Sequence, residues 1–198
     1  MLRLEKRGLE IEFCEENLMP HKKYYYAMHK YPEASVIIID DDMLYPTDLI
    51  SKLKYYSKLY PNTIVCPIAI KIDVTNGEIH PYRNWDYINY NTRPGFPYLM
   101  IGAGSVYYPP RALHNEVFNQ PALKEMALSA DDLWLKIMSV KNNTRVVCIA
   151  GEYKRFFIPI RIKNNINLMD INIAGGQNDV IFTKLIDHYQ IPVNIFKE

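Results

Sequence analysis

Val36-Ile37-Ile38-Ile39 runs without a break into Asp40-Asp41-Asp42, and the reading of this stretch decides the fold. A continuous apolar, β-branched run of this length reads as a strand covered on both faces, as at the centre of a parallel sheet. The three carboxylates follow where such a strand leaves the core. In open α/β sheets, ligands collect at the carboxyl ends of the strands. Carboxylates packed together repel unless a cation or hydrogen-bond donors offset the cost. Oxygen-rich clusters of this kind suit Mg²⁺ or Mn²⁺, ions that usually hold phosphates as well. A single Asp here would be read as turn punctuation before a helix; three after a buried strand point first to a metal site.

Outward from this stretch the pattern alternates. Leu2 to Arg7 before Gly8 reads as the tail of a helix, and Leu9-Glu10-Ile11-Glu12-Phe13 alternates like a strand nearer an edge. Pro20 opens a helix that continues through Lys22 to Lys30. On the other side, Thr47 is placed to cap a helix through Leu59 with Leu49, Leu53, Tyr56 and Tyr60 on one face. Thr63–Cys66 and Ala69–Val74 read as short strands, the second closed by Thr75-Asn76-Gly77. From His80 to Pro97 the chain shows no clear period, and a long irregular loop in a compact domain is usually functional. Gly102-Ala103-Gly104 leads into a strand from Ser105 to Tyr108, ended by Pro109-Pro110. Ser129 is placed to cap a helix through about Lys141, with Asp132 in capping-box position. Arg145 to Ile149 reads as a buried strand, the stretch after it as polar and irregular, and Asp179 to Tyr189 as a last amphipathic helix.

This alternation predicts one α/β domain over residues 1–198, with a largely parallel central sheet flanked by helices. The chain opens partway through a helix with no strand before it, whereas a nucleotide-binding half-sheet usually opens with a strand. The expectation is therefore an N-terminally incomplete fold. At 198 residues one well-cored domain fits. The net charge of +1 announces no nucleic-acid surface. Met1 to Gly8 is too charged for a secretory signal, and no apolar run reaches the ~20 residues of a membrane span. Cys14, Cys66 and Cys148 each lie in an apolar segment and read as small buried hydrophobes of a reducing, cytoplasmic setting rather than as disulfides or a zinc site.

Four motifs, in order, carry a resemblance. Pro20-His21-Lys22-Lys23-Tyr24, then Ile39-Asp40-Asp41-Asp42 with Tyr45-Pro46, then Gly102-Ala103-Gly104-Ser105-Val106-Tyr107-Tyr108-Pro109-Pro110, then Ala130-Asp131-Asp132-Leu133-Trp134 resemble bacterial glycosyltransferases of the GT-A fold, the DxD-containing, family-2-like group of polysaccharide synthesis. The likeness runs from Gly8 to about Asp187. It implies a single GT-A, Rossmann-like domain that lacks its first strand. It also implies transfer of a sugar from a nucleotide-sugar donor to a glycan acceptor with Mn²⁺ or Mg²⁺, at the inner face of a membrane or in the cytoplasm.

The resemblance assigns Asp40 and Asp42 to the metal, with Asp40 also at the ribose or sugar edge and Asp41 as an alternate ligand. It places Lys23, Gly102, Ala103 and Gly104 at the donor; Lys22, beside Lys23, has the bland alternative of a solvated helix lysine. The catalytic base falls on Asp131, with Asp132 second. Acids in a first helical turn also have a purely structural role, which Asp132 suits best. The family pattern usually has a Glu before this base, where this chain has Ala130. Trp85, Tyr87 and Tyr90 are candidates to stack on an acceptor sugar; Trp134 reads as core, and His188 as a distant candidate for the metal. Another metal-dependent nucleotidyltransferase, or a non-catalytic carbohydrate- or partner-binding remnant, are the alternative readings.

Overall fold

The computed structural model describes residues 2–153, 157–160 and 176–197; most of the polar stretch expected to be irregular after Ile149 lies outside the described residues. The principal sheet has four strands: β1 (Val36–Ile38), β3 (Ile64–Cys66), β9 (Val106–Tyr108) and β10 (Val146–Cys148), in the order β1-β9-β3-β10. β1 is antiparallel to β9, with Ile38 opposite Val106, and β9 is antiparallel to β3. Only β3 and β10 pair in parallel, with Cys66 opposite Cys148.

Three smaller sheets are antiparallel throughout. β2 (Met43–Leu44) pairs with β11 (Ile158–Pro159), and β4 (Ala69–Lys71) lies between β7 (Asp86–Tyr87) and β8 (Tyr98–Met100). β5 (Val74–Thr75) and β6 (Glu78–Ile79) form a hairpin whose Asn76 and Gly77 both have positive φ, the pairing that a tight two-residue turn demands.

The expectation of a largely parallel central sheet is therefore wrong: the sheets are small and mostly antiparallel. The reason lies between β3 and β9. A parallel return needs a crossover, usually helical, that carries the chain back across the sheet. Residues 67–105 contain only short strands and 3₁₀ turns. The chain thus stays at the edge where β3 ended, and β9 starts from there in reverse. β1 is also not central. It ends the sheet, Val36 and Ile37 are partly exposed, and Ile39 is 56% exposed.

Six α-helices are described. α1 (Leu2–Glu5) stops before Gly8, whose φ of +99° suits a glycine after a helix end. A 3₁₀ turn, Met19–Lys23, starts with Pro20 and leads into α2 (Tyr25–Lys30). α3 (Leu49–Leu59) buries Leu49 and Leu53 against Val65, Val147 and Ile149; Asp48, not Thr47, precedes it. α4 (Gln120–Met126), which has no counterpart in the sequence reading, is capped by Asn119, whose Oδ1 accepts the Ala122 N–H at 3.2 Å.

α5 (Asp131–Lys141) is the core helix. Nine of its eleven residues are buried, so it is covered all round rather than amphipathic. α6 (Gln177–Tyr189) packs Ile181, Phe182 and Leu185 into the same core.

Two further expectations fail. Leu9–Phe13 is an exposed, unpaired segment and not a strand: Phe13 is 96% exposed, while Glu10 and Glu12 turn to Lys30. Cys14 is exposed as well, unlike Cys66 and Cys148.

Candidate functional site

Because β9 opposes its neighbours, the ends of β1 and β3 and the start of β9 share one edge of the sheet. The N-terminus of α5 reaches the same edge. Four chain segments converge there. The Lys23 Nζ, at the end of the 3₁₀ turn, lies 2.6 Å from Asp40 Oδ1 and 3.8 Å from Asp131 Oδ2. Asp132 Oδ1 accepts the Gly102 N–H at 2.9 Å. The Tyr45 hydroxyl accepts the Asp40 N–H at 2.8 Å and donates to the Ala103 carbonyl at 3.0 Å, which ties the acidic loop to the glycine turn.

The glycines have a packing reason to be small. A Cβ on Gly104 would stand 2.6 Å from Ile68 Cγ1, and one on Gly102 would stand 3.0 Å from Asp132 Oδ1. The turn releases into Ser105 at φ 73° and ψ 144°, a conformation strongly disfavoured for a residue with a side chain. Ser105 is fully buried, and its hydroxyl has no hydrogen-bond partner among the described residues. Local strain and an unsatisfied hydroxyl at one position are the kind of cost that concentrates at functional sites.

The electrostatics follow from burial and from three carboxylates gathered on one ammonium. Burial opposes the Lys23 charge, but Asp131, then Asp40 and Asp132, outweigh it and hold the ammonium above its usual pKa. Burial, then the Asp131 charge, push the Asp132 carboxyl well above the usual carboxylate range, against the pull of Lys23 and the Gly102 N–H. Asp131 Oδ2 is buried and has no hydrogen bond among the described residues.

Beneath the site His21 is fully buried, its Nε2 at 2.8 Å from the Ala127 carbonyl and its Nδ1 at 3.0 Å from the Tyr24 hydroxyl. A carbonyl only accepts, so Nε2 carries the hydrogen; burial pushes the ring's pKa down and keeps it neutral. This contact anchors the turn that leads to α5.

The site thus brings together Lys23, Asp40, Gly102, Ala103, Gly104, Asp131 and Asp132, as the sequence expectation had grouped them. Other expectations are corrected. Asp132 does not cap its own helix: Ala130 holds the cap position without a side-chain bond, and the Asp132 carboxylate reaches across to Gly102. Trp85 presents no face to a ligand. It is 6% exposed, packs on Tyr82 and Phe182, and donates from Nε1 to the His80 carbonyl. Tyr87 and Tyr90 are exposed. His188 is exposed in the last turn of α6, about 15 Å along the helix from Asn178.

Tyr45, His21 and Ser105 lay inside the quoted motifs without an assigned role. Tyr82 and Asn178 were missed: Asn178 is buried, and burial, then the Asp132 charge, raise the Tyr82 hydroxyl. Nothing local in the sequence marks that pair.

For a divalent cation the donor chemistry is right, since hard cations take oxygen ligands. Asp40, however, already has Lys23 as its counter-cation. Asp41 and Asp42 are exposed, and the Asp42 carbonyl accepts the Ile160 N–H at 2.7 Å. Among the described residues no group of three or more His, Cys, Asp or Glu side chains is arranged to hold a metal ion. Among the described residues no helix is long and apolar enough to cross a membrane. A scan against protein-family models finds no match to this chain, and a search of the curated proteins finds none either.

Proposed function

We propose that the chain binds a nucleotide-activated sugar at this sheet edge and transfers the sugar to a glycan hydroxyl. The observation that carries the reading is the convergence of Lys23, Asp40, Asp131, Asp132 and the Gly102–Gly104 backbone from four distant segments. Asp131 is the base: its Oδ2, which has no hydrogen bond among the described residues and faces the Lys23 ammonium at 3.8 Å, takes the proton of the acceptor hydroxyl as that oxygen attacks. Asp132 holds the glycine turn, and Lys23 keeps Asp40 and Asp131 in place. Mn²⁺ or Mg²⁺ on Asp42, with Asp41 as alternate, supplies neutralisation of the leaving diphosphate. Tyr87 and Tyr90 offer rings to an acceptor sugar.

The experiment is a thermal shift of the whole chain with Mn²⁺ and a panel of nucleoside diphosphates, followed by turnover with the matching nucleotide sugars. Saturation at about 100 Kd adds about 2.7 kcal/mol of stability. Asp42→Ala abolishes that gain, and Asp131→Asn lowers kcat by roughly 10²–10⁴ with little loss of donor affinity. No stabilisation by any nucleotide refutes the reading.

One observation favours a second reading. The Lys23–Asp40 ion pair already neutralises the first carboxylate without any ligand, as suits a non-catalytic carbohydrate-binding remnant. Glycan binding without nucleotide binding or turnover is its signature.

A further inference from the structure

The core holds a pair of thiols that the candidate site does not use. Cys66 and Cys148 are the last residues of β3 and β10 and stand directly opposite each other in the parallel register. Neighbouring strands run about 4.8 Å apart, inside the roughly 4.4–6.8 Å that a disulfide spans between α-carbons. Residues in register on adjacent strands point to the same face of a sheet; here the Cys66 S–H donates to the Val147 carbonyl at 3.7 Å, on the strand of Cys148, and the Cys148 S–H to the Pro67 carbonyl at 3.9 Å, beside Cys66. Both residues are 0% exposed. The two thiols thus sit on one face of neighbouring strands, each bonded to the backbone next to the other, on a spacing that accepts a bond between the sulfurs.

The surroundings favour the chemistry. Burial pushes the Cys66 thiol up, whereas the neighbouring Cys66 side chain lowers the pKa of Cys148. Cys148 is thus the first to ionise, and the thiolate is the nucleophile. Lys136, fully buried with no hydrogen-bond partner for Nζ among the described residues, lies within electrostatic reach of Cys66. Burial brings the amine's pKa down to about 7, so near neutrality it is able to take up the proton that Cys66 gives away.

We propose that Cys66 and Cys148 are an oxidation site that closes to an intramolecular disulfide when the protein meets a peroxide. The Cys148 thiolate attacks one peroxide oxygen and breaks the O–O bond; hydroxide leaves and is protonated to water. The resulting sulfenic acid on Cys148 is attacked by the Cys66 sulfur. The S–O bond breaks, hydroxide departs, and the proton released by Cys66 completes a second water. Two thiols and one peroxide give one disulfide and two waters, with both electrons passing from the sulfurs to the peroxide. The cross-link pins β3 to β10 two residues before Ile68, which packs against Gly104 of the candidate site. Burial makes the reaction slow, gated by local opening of the strands, so exposed Cys14 reacts first.

The test uses the whole chain as Cys14→Ser, which leaves two thiols of the original three. The protein is treated with hydrogen peroxide at neutral pH, quenched, denatured and alkylated, then read by intact mass and peptide mapping. The expected result is loss of both alkylatable thiols and of two hydrogen atoms in mass. A Cys66–Cys148 linked peptide accompanies this loss, and dithiothreitol reverses both. Adding Cys148→Ser to the same background abolishes the linked peptide. The proposal is overturned if both thiols stay alkylatable, if sulfinic or sulfonic acids form without the linked peptide, or if cross-links form only between chains.

Discussion

Asp132 bears an electrostatic cost in the folded state. Its carboxylate is set beside Asp131 and partly withdrawn from water, and the Gly102 N–H and the Lys23 charge offset this in part. The folded state holds its proton more tightly than the unfolded chain does. The penalty therefore grows as pH rises through the ordinary carboxylate range toward the raised folded value, and it is absent below that range. Asp132→Asn keeps an oxygen for the Gly102 N–H and removes the charge. The variant is expected to be more stable than the parent at pH 7, by more than about 1 kcal/mol, and equal to it near pH 3. Urea melts at the two pH values check this. Equal stability at pH 7 means that the carboxylate is better solvated than its packing indicates.

At the scale of elements, α5 shows what was legible and what was not. Its length and apolar content were plain from the sequence, and so were the spans of α3 and α6. Its start was misjudged because the best capping residue by type, Ser129, stands one position too early and Ala130 takes the cap. Strand direction was misread at β9, which opposes both β1 and β3, since apolar periodicity marks a strand but not which way it runs. The segment Leu9–Phe13 has perfect alternation, yet its acids make surface ion pairs and no ladder forms. The proximity of Lys23, Asp40, the Gly102–Gly104 turn, Asp131 and Asp132 was anticipated even though the topology was misjudged, because the ends of β1 and β3 and the start of β9 still meet at one edge.

Lys136, inside α5, gives that helix a pH signature. With a folded pKa of about 7 against the ordinary lysine value of 10.5, the amine is neutral in the folded state and charged in the unfolded chain between those limits. Unfolding then takes up a proton, so stability rises with pH from about 7 toward 10, by at most about 1.4 kcal/mol per unit. Below pH 7 the lysine is charged in both states and adds no slope. Lys136→Met should be the more stable protein at pH 7 and should lose the rise. Denaturant unfolding at pH 7, 8 and 9 reads both effects; a parent with no upward slope contradicts the neutral lysine.

At the scale of the whole molecule the packed body begins at Leu18, which is fully buried, while residues 3–17 are exposed throughout. That segment is held by ion pairs of Glu10 and Glu12 with Lys30 and of Glu16 with Lys124, all at the surface. Exposed pairs of this kind add little to stability. Deleting residues 1–17 should therefore lower Tm by no more than roughly 10 °C. Calorimetry of the shortened chain is the check, and a collapse of the fold would show that the segment covers more of the core than its exposure suggests.

The two tryptophans make the molecule its own spectrometer. Trp134 lies at 0% exposure in α5 and donates from Nε1 to the Val117 carbonyl at 3.2 Å; Trp85 packs on Phe182 of α6, outside any helix of its own. Emission from both indoles should be blue-shifted and should move to the red on unfolding. Trp85→Phe leaves a fluorophore in the core helix, and Trp134→Phe leaves one on the chain that leads into β7. Superimposable denaturation curves from the two variants mean that helix and loop melt as one cooperative unit. An earlier red shift from the indole at position 85 would divide the fold along the seam between α6 and the β4–β7–β8 sheet.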